Sequence, residues 1–97
     1  MFYALLYDYV DGDVPRLRQP FRADHLGLIG EFAERGEIVL AGALVDPVDS
    51  AIIVFRCDDA TTVEGFVARD PYVLNGIVVR HAIRPWAIVS GAERLEK

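Results

Sequence analysis

Two stretches of this 97-residue chain, IVLAGAL (Ile38–Leu44) and AIIVF (Ala51–Phe55), carry apolar side chains at both odd and even positions. A strand sends alternate side chains to opposite faces, so a sheet with one wet face alternates apolar and polar residues. These two stretches do not, and the sheet they build is expected to have both faces covered. A third stretch opens the chain. In FYALLYDYV (Phe2–Val10), Tyr3, Leu5, Tyr7 and Tyr9 share one parity, and Phe2, Ala4 and Leu6 share the other. The demand is severe in a chain long enough for one modest core, read as a single domain over residues 1–97. Helices of the same chain cover one face. A second copy is the simplest cover for the other, so a homodimer packed sheet to sheet is expected, with assembly beyond the dimer left open.

The helices are legible from period and punctuation. VPRLRQPFRADHLGLIGEFAERG (Val14–Gly36) follows the break DGD with a 3.6-residue period. Pro15 suits a first helical turn, and Gly36 suits a C-terminal stop. Pro20 lies inside that span and either kinks the helix or marks its real start near residue 20. VDPVDS joins the two apolar strands as a hairpin turn. DDATTVEGFVARDP opens on the helix-capping residues Asp58 and Asp59 and stops at Pro71, which predicts a short helix. IVVRHAIRPWAIV is a last strand whose Pro85 favours an edge position, and the polar tail SGAERLEK frays or adds a short helix. The order β-α-β-β-α-β is the ferredoxin-like pattern. It predicts an α+β fold with a four-stranded antiparallel sheet, strand order 4-1-3-2, and two helices on one face.

Composition removes several function classes. A chain that is 53% hydrophobic folds rather than staying disordered. Its formal net charge of −5 argues against a nucleic-acid surface or an anionic-membrane surface, both of which need a basic patch. No run of about 18 apolar residues is present to span a bilayer. The start MFYALLYDYV lacks a basic n-region and a small-residue cleavage site. The single cysteine, Cys57, allows no internal disulfide, which makes a reducing cytoplasm the expected location.

The chemistry concentrates on the first helix. At 100° per residue, Phe21, Leu28, Ile29 and Phe32 lie within about 60° of His25, which places an ionisable ring at the centre of the core-facing stripe. Arg18 and Arg22 fall near the same stripe. On the second helix Val63, Phe66 and Val67 form the apolar face, and Asp70 continues it one turn later. Antiparallel helices over one sheet bring the end of the second toward the first half of the first, so Asp70 and His25 are expected to meet. A carboxylate beside an imidazole fixes its tautomer and stabilises the imidazolium, leaving the other nitrogen to move a proton. Arg22 would hold an anionic or phenolate-like group. The plainer reading is a hydrogen-bonded core histidine with Asp70 ending its helix. The joint placement favours a working pair.

The runs RADHLGLIGEFAERGEIVLAGAL and ARDPYVLNGIVVRHAIRPW resemble the YCII-related domain family. That family shows an arginine three residues before a His-Leu pair, a glycine-ended helix, a strand with Ala-Gly before proline, an Asp-Pro-Tyr/Phe…Gly segment and a closing Pro-Trp/Phe. Arg22, His25, Leu26, Gly36, Ala41, Gly42, Asp70, Pro71, Tyr72, Gly76, Pro85 and Trp86 match, in order, over nearly the whole chain. Ala43 departs from the pattern where the family has proline, and Ser50 departs near a position often held by glycine. The resemblance implies a dimeric α+β barrel with an active site built on His25 and Asp70. Relatives include a dehydrochlorinase acting on a chlorinated hydroxyquinol, and the family is compared with muconolactone isomerases.

The remaining candidates are weaker. A metal site would need His25, His81 and a carboxylate or Cys57 to converge, and no C-x-x-C pair exists, so no metal or other cofactor is expected. Cys57 reads as a small buried hydrophobe. The tyrosines of the first strand read as core and interface. Tyr72 is expected to edge a pocket, and with Arg22 and Gly42 it completes the expected substrate-binding set. The function expected is general acid–base chemistry by His25, oriented by Asp70, on a small cyclic or phenolic compound. The alternative is a non-catalytic small-molecule-binding or regulatory module using the same cavity.

Overall fold

In the computed structural model, which describes residues 1–95, one parity of β1 (Phe2–Tyr9) is the floor of the core. Tyr3, Leu5, Tyr7 and Tyr9 are all buried there. After β1 come a single turn, α1 (Val14–Leu17), a 3-10 turn (Gln19–Phe21) and α2 (Arg22–Glu34). The hairpin β2 (Ile38–Leu44) and β3 (Ser50–Arg56) follows, then α3 (Thr61–Arg69), a turn α4 (Pro71–Leu74), β4 (Val78–Pro85) and α5 (Ala92–Leu95). All pairings are antiparallel, in the order β2-β3-β1-β4. This is the ferredoxin-like α+β arrangement, with the expected strand order. Pro85 ends the edge strand β4, where its missing N–H costs no ladder bond. Glu96 and Lys97, the end of the tail, lie outside the described residues.

The long helix predicted from Val14 is broken where the proline predicts a break. Residues 18–21 form a separate tight turn around Pro20, and α2 begins at Arg22. Its end is a Schellman motif: the Gly36 N–H donates to the Ala33 carbonyl and the Glu37 N–H to the Phe32 carbonyl, both at 2.9 Å. Gly36 has φ +77°, a conformation that L side chains rarely adopt. At the start of α3 the cap position falls to Ala60, which has no capping side chain, and of the expected caps Asp58 and Asp59 it is Asp59, one residue earlier, that accepts from the Thr61 N–H and hydroxyl.

The two layers are joined by three phenylalanines in edge-to-face contact: Phe32 of α2, Phe55 of β3 and Phe66 of α3, with centroids 5.3–6.3 Å apart. Ring edges meeting ring faces satisfy the aromatic quadrupoles while burying large apolar area. Above them Glu31 of α2 accepts two bonds from Arg69 of α3, at 2.7 and 3.0 Å, and one from Arg35.

The sheet's two faces differ. The rows Ala41–Ile53–Leu5–Ile83 and Ala43–Ala51–Tyr7–His81 face the helices. The rows Leu40–Val54–Ala4–Arg84 and Gly42–Ile52–Leu6–Ala82 lie on the other side. On that side Ala4 and Val54 are buried, and Leu6, Leu40 and Leu44 are exposed. Among the described residues no helix is long and apolar enough to cross a membrane.

Hydrogen bonds from Arg69 and Arg35 lower the Glu31 pKa from 4.5 to about 2. A carboxylate whose pKa is depressed on folding adds stability above its unfolded pKa and loses it as pH falls toward the folded one. Wild type is therefore expected to exceed Glu31→Gln in stability at neutral pH, with the gap closing between pH 4.5 and about 2. Because the group is exposed, added salt narrows the gap as well. Chemical denaturation across that pH range measures both effects.

Candidate active site

Asp70 owes its position to the proline after it. A residue before proline is steered out of the helical region, and Asp70 adopts φ −71°, ψ 117°, ending α3. Pro71 then starts α4 at a position where no N–H is needed. Asp70 caps that turn, its Oδ1 accepting from the Tyr72 N–H at 3.0 Å. The sequence pattern placed Asp70 on the face of α3. The structure places it in the break between two helices, and this turns its carboxylate inward, fully buried.

Two further donors reach that carboxylate. His25 Nδ1 is 2.7 Å from Oδ1, and the Tyr7 hydroxyl donates to Oδ2 at 2.7 Å. An ionised carboxylate only accepts, so the proton of this contact sits on Nδ1, and Nε2 lies on the other edge of the ring. The Tyr72 ring lies flat on the imidazole, with centroids 3.8 Å apart and planes within 8°, which holds the ring's orientation. Burial, followed by the charge and hydrogen bond of Asp70, pushes the Tyr7 pKa well above that of a free phenol. Tyr7 therefore remains a neutral donor to Asp70.

His25 opens onto a cavity of about 270 Å³ between α2, the 3-10 turn and the sheet. Its floor is made of alanines: Ala41 and Ala43 of β2 and Ala51 of β3, in rows otherwise filled by Leu5, Ile53 and Tyr7. Short side chains at these ladder positions leave the space. Arg18, Arg22, Tyr9 and Tyr72 form the rest of the polar wall. Burial raises the pKa values of Tyr9 and Tyr72, and the two arginines oppose that rise at both hydroxyls.

The expected residues therefore gather at one place. His25, Arg22, Tyr72 and Gly42 line the cavity, and Asp70 stands behind the imidazole without reaching the cavity itself. Gly42 contributes backbone only. A Cβ there would meet nothing within 4 Å, so the cavity does not require glycine at that position. Tyr7 and Tyr9, read from sequence as core and interface, belong to the site, and so does Arg18. The signal for the tyrosines was parity: they share the Leu5 face, and a phenol facing a core needs a polar partner. His81 is exposed on β4, and among the described residues no group of three His, Cys, Asp or Glu side chains converges. Cys57 is half-buried rather than buried, its thiol donating to the Asp59 carbonyl.

The model of the YCII-related domain matches residues 1–87. The chain belongs to the YCII-related domain family. No curated protein matches it at a significant level. Among solved structures it is similar to 5-chloro-2-hydroxyhydroquinone dehydrochlorinase from Burkholderia phenoliruptrix, in complex with 2,5-dihydroxybenzoquinone. The TM-score is 0.77 at 16% identity, over 90% of this chain and 94% of that one. A protein from Agrobacterium tumefaciens matches at TM-score 0.53 and 17% identity, over 93% of this chain and 97% of that one. A NIPSNAP domain protein from Burkholderia xenovorans matches at 0.51 and 17%, over 94% and 99%. At these identities the likeness is one of fold.

Removing the Tyr7 hydroxyl leaves one oxygen of a buried carboxylate without its partner. Tyr7→Phe is expected to lower folding stability by about 1.5–3 kcal/mol, the usual worth of a hydrogen bond to a charged group. Urea denaturation of both proteins measures the difference.

Proposed function

We propose that this chain is a small enzyme that moves protons on a cyclic or phenolic compound, with elimination or isomerisation as the net result. The observation that carries the reading is the 2.7 Å bond from His25 Nδ1 to a buried carboxylate, made by a ring that opens on a cavity. In the proposed reaction Nε2 takes a proton from the bound compound. Asp70 stabilises the imidazolium that results, as a buried carboxylate does for a protonated neighbour. Tyr7 and the Tyr72 N–H keep Asp70 from turning toward solvent. The returned proton goes to a second carbon or leaves with a departing anion. The cavity volume suits a single ring with small substituents. The solved dehydrochlorinase supports the substrate class by its similarity in fold.

The test follows chloride release from chlorinated hydroxyhydroquinones and solvent-deuterium exchange into cyclic ketones and lactones. Wild type is expected to turn over members of this panel, with His25→Gln about 10²–10⁴-fold slower at unchanged folding stability, the usual worth of a general base. Equal rates in the two proteins would remove His25 from the chemistry. Binding without turnover would favour a ligand-binding module.

We further propose that the working unit is a homodimer packed through the sheet face that carries Leu6, Leu40 and Leu44. Leu40 is 60% exposed and Leu44 51% exposed, a large apolar display for a single chain. Sedimentation of wild type is expected to give twice the chain mass, and Leu40→Glu should give the chain mass. A wild type that sediments as a monomer at micromolar concentration would rule this assembly out.

A further inference from the structure

One end of the cavity has a charge pattern that proton transfer at His25 does not use. Arg18 and Arg22 are cations in its wall, and no Asp or Glu lines it. The ion pairs among the described residues engage Arg16, Arg35, Arg69 and Arg80; Arg18 and Arg22 take no part in them, and of the arginines outside them these two line the cavity. In a chain of formal net charge −5, one cavity thus holds two cations and no carboxylate in its wall. The Tyr72 hydroxyl stands with them. Tyr72 is only 1% exposed, and its hydroxyl makes no hydrogen bond of full geometry within the protein, although the Arg22 guanidinium lies near enough to act on it. Buried polar atoms in native proteins are nearly always partnered, so such a group generally marks a missing partner. The Tyr9 hydroxyl is the fourth member. All four groups line the same cavity, and both guanidinium groups oppose the rise in pKa of both phenols.

We infer that Arg18, Arg22, Tyr9 and Tyr72 form an oxyanion subsite, and that the ligand of this cavity is a ring bearing a carboxylate. The ring lies over the alanine floor beside His25, and the carboxylate sits between the two arginines, accepting from the Tyr72 hydroxyl. The number of donors favours a carboxylate over a phenolate. A carboxylate offers two oxygens and about four lone-pair sites, enough for two guanidinium groups and two hydroxyls. The single oxygen of a phenolate leaves donors unused. Arg18 is new to the site. It lies on the short turn before α2, four residues ahead of Arg22, so the turn forced by Pro20 sets the spacing of the two cations.

This inference rests on the reading of the cavity as a ligand site, but its test is of binding alone. Benzoate, benzamide and 4-nitrophenolate are titrated into the full chain by calorimetry, the last above its own pKa. Benzoate is expected to bind with an affinity that falls as salt rises, and to bind at least tenfold more tightly than benzamide and 4-nitrophenolate. Arg18→Gln and Arg22→Gln should each weaken benzoate about ten- to a hundredfold, the range for losing hydrogen bonds to a charge. Arg18→Lys should recover part of the loss, and benzamide should bind all variants alike. Circular dichroism of each variant separates lost binding from lost folding. Equal binding of benzoate and benzamide, or no binding of benzoate, overturns the subsite. Tighter binding of 4-nitrophenolate than of benzoate overturns the carboxylate assignment. Benzoate binding that survives His25→Gln in a protein without turnover upholds the subsite and sinks the proposed chemistry. Turnover without benzoate binding does the reverse.

Discussion

The carboxylate of Asp70 organises this molecule. It is fully buried, and a buried charge survives only when its lone pairs are filled. Three donors engage its two oxygens, from three separate parts of the chain: Tyr7 of β1, His25 of α2 and the Tyr72 backbone of α4. The sheet, the first long helix and the break in the second helical region are thereby tied to one pair of oxygens. Moving any of the three leaves the buried carboxylate short of a donor, so the geometry around the imidazole is held by the same free energy that holds the fold. The histidine inherits its tautomer and orientation from this arrangement, and Tyr72 fixes the ring from the remaining side by stacking.

That arrangement also explains why the cavity lies where it does. The imidazole uses one edge on Asp70, so its free nitrogen belongs to the other edge. On that side the sheet carries alanines in place of larger residues, and α2 begins late because Pro20 interrupts the helix before it. Small floor residues and a late helix start together leave room for one ring. The cations at the far end come from the interrupting turn and from the first residue of α2.

Much of this was legible in the chain order of residues. The element sequence, the edge proline, the glycine stop and the helical stripe centred on His25 are local or periodic properties, and local sterics and burial are enough to read them. The pairing of His25 with Asp70 was legible because facing apolar stripes bring their residues together. The inward turn of Asp70 was less so. It depends on a cap formed after a pre-proline break, a geometry that periodicity does not encode. Tyr7 was read as core, correctly for its ring and incompletely for its hydroxyl, since no strand pattern says which polar atom a buried phenol will meet. Arg18 lay on the right stripe, yet its place in the cavity wall depends on how the turn at Pro20 folds.

By itself the sequence determined the ferredoxin-like order, the double-faced sheet and the placement of an ionisable ring on a buried helix face. These follow from side-chain period and from the steric rules of proline and glycine, which act over a few residues. Only the tertiary structure decided that one carboxylate would gather three donors, that the alanines of two strands would line up into a floor, and that two arginines would stand near two phenols. The first requires Tyr7 and Asp70, 63 positions apart, to meet at hydrogen-bond distance, and the other two likewise join residues of separate elements. Chain closure and core packing set such meetings, and no short window of sequence contains them.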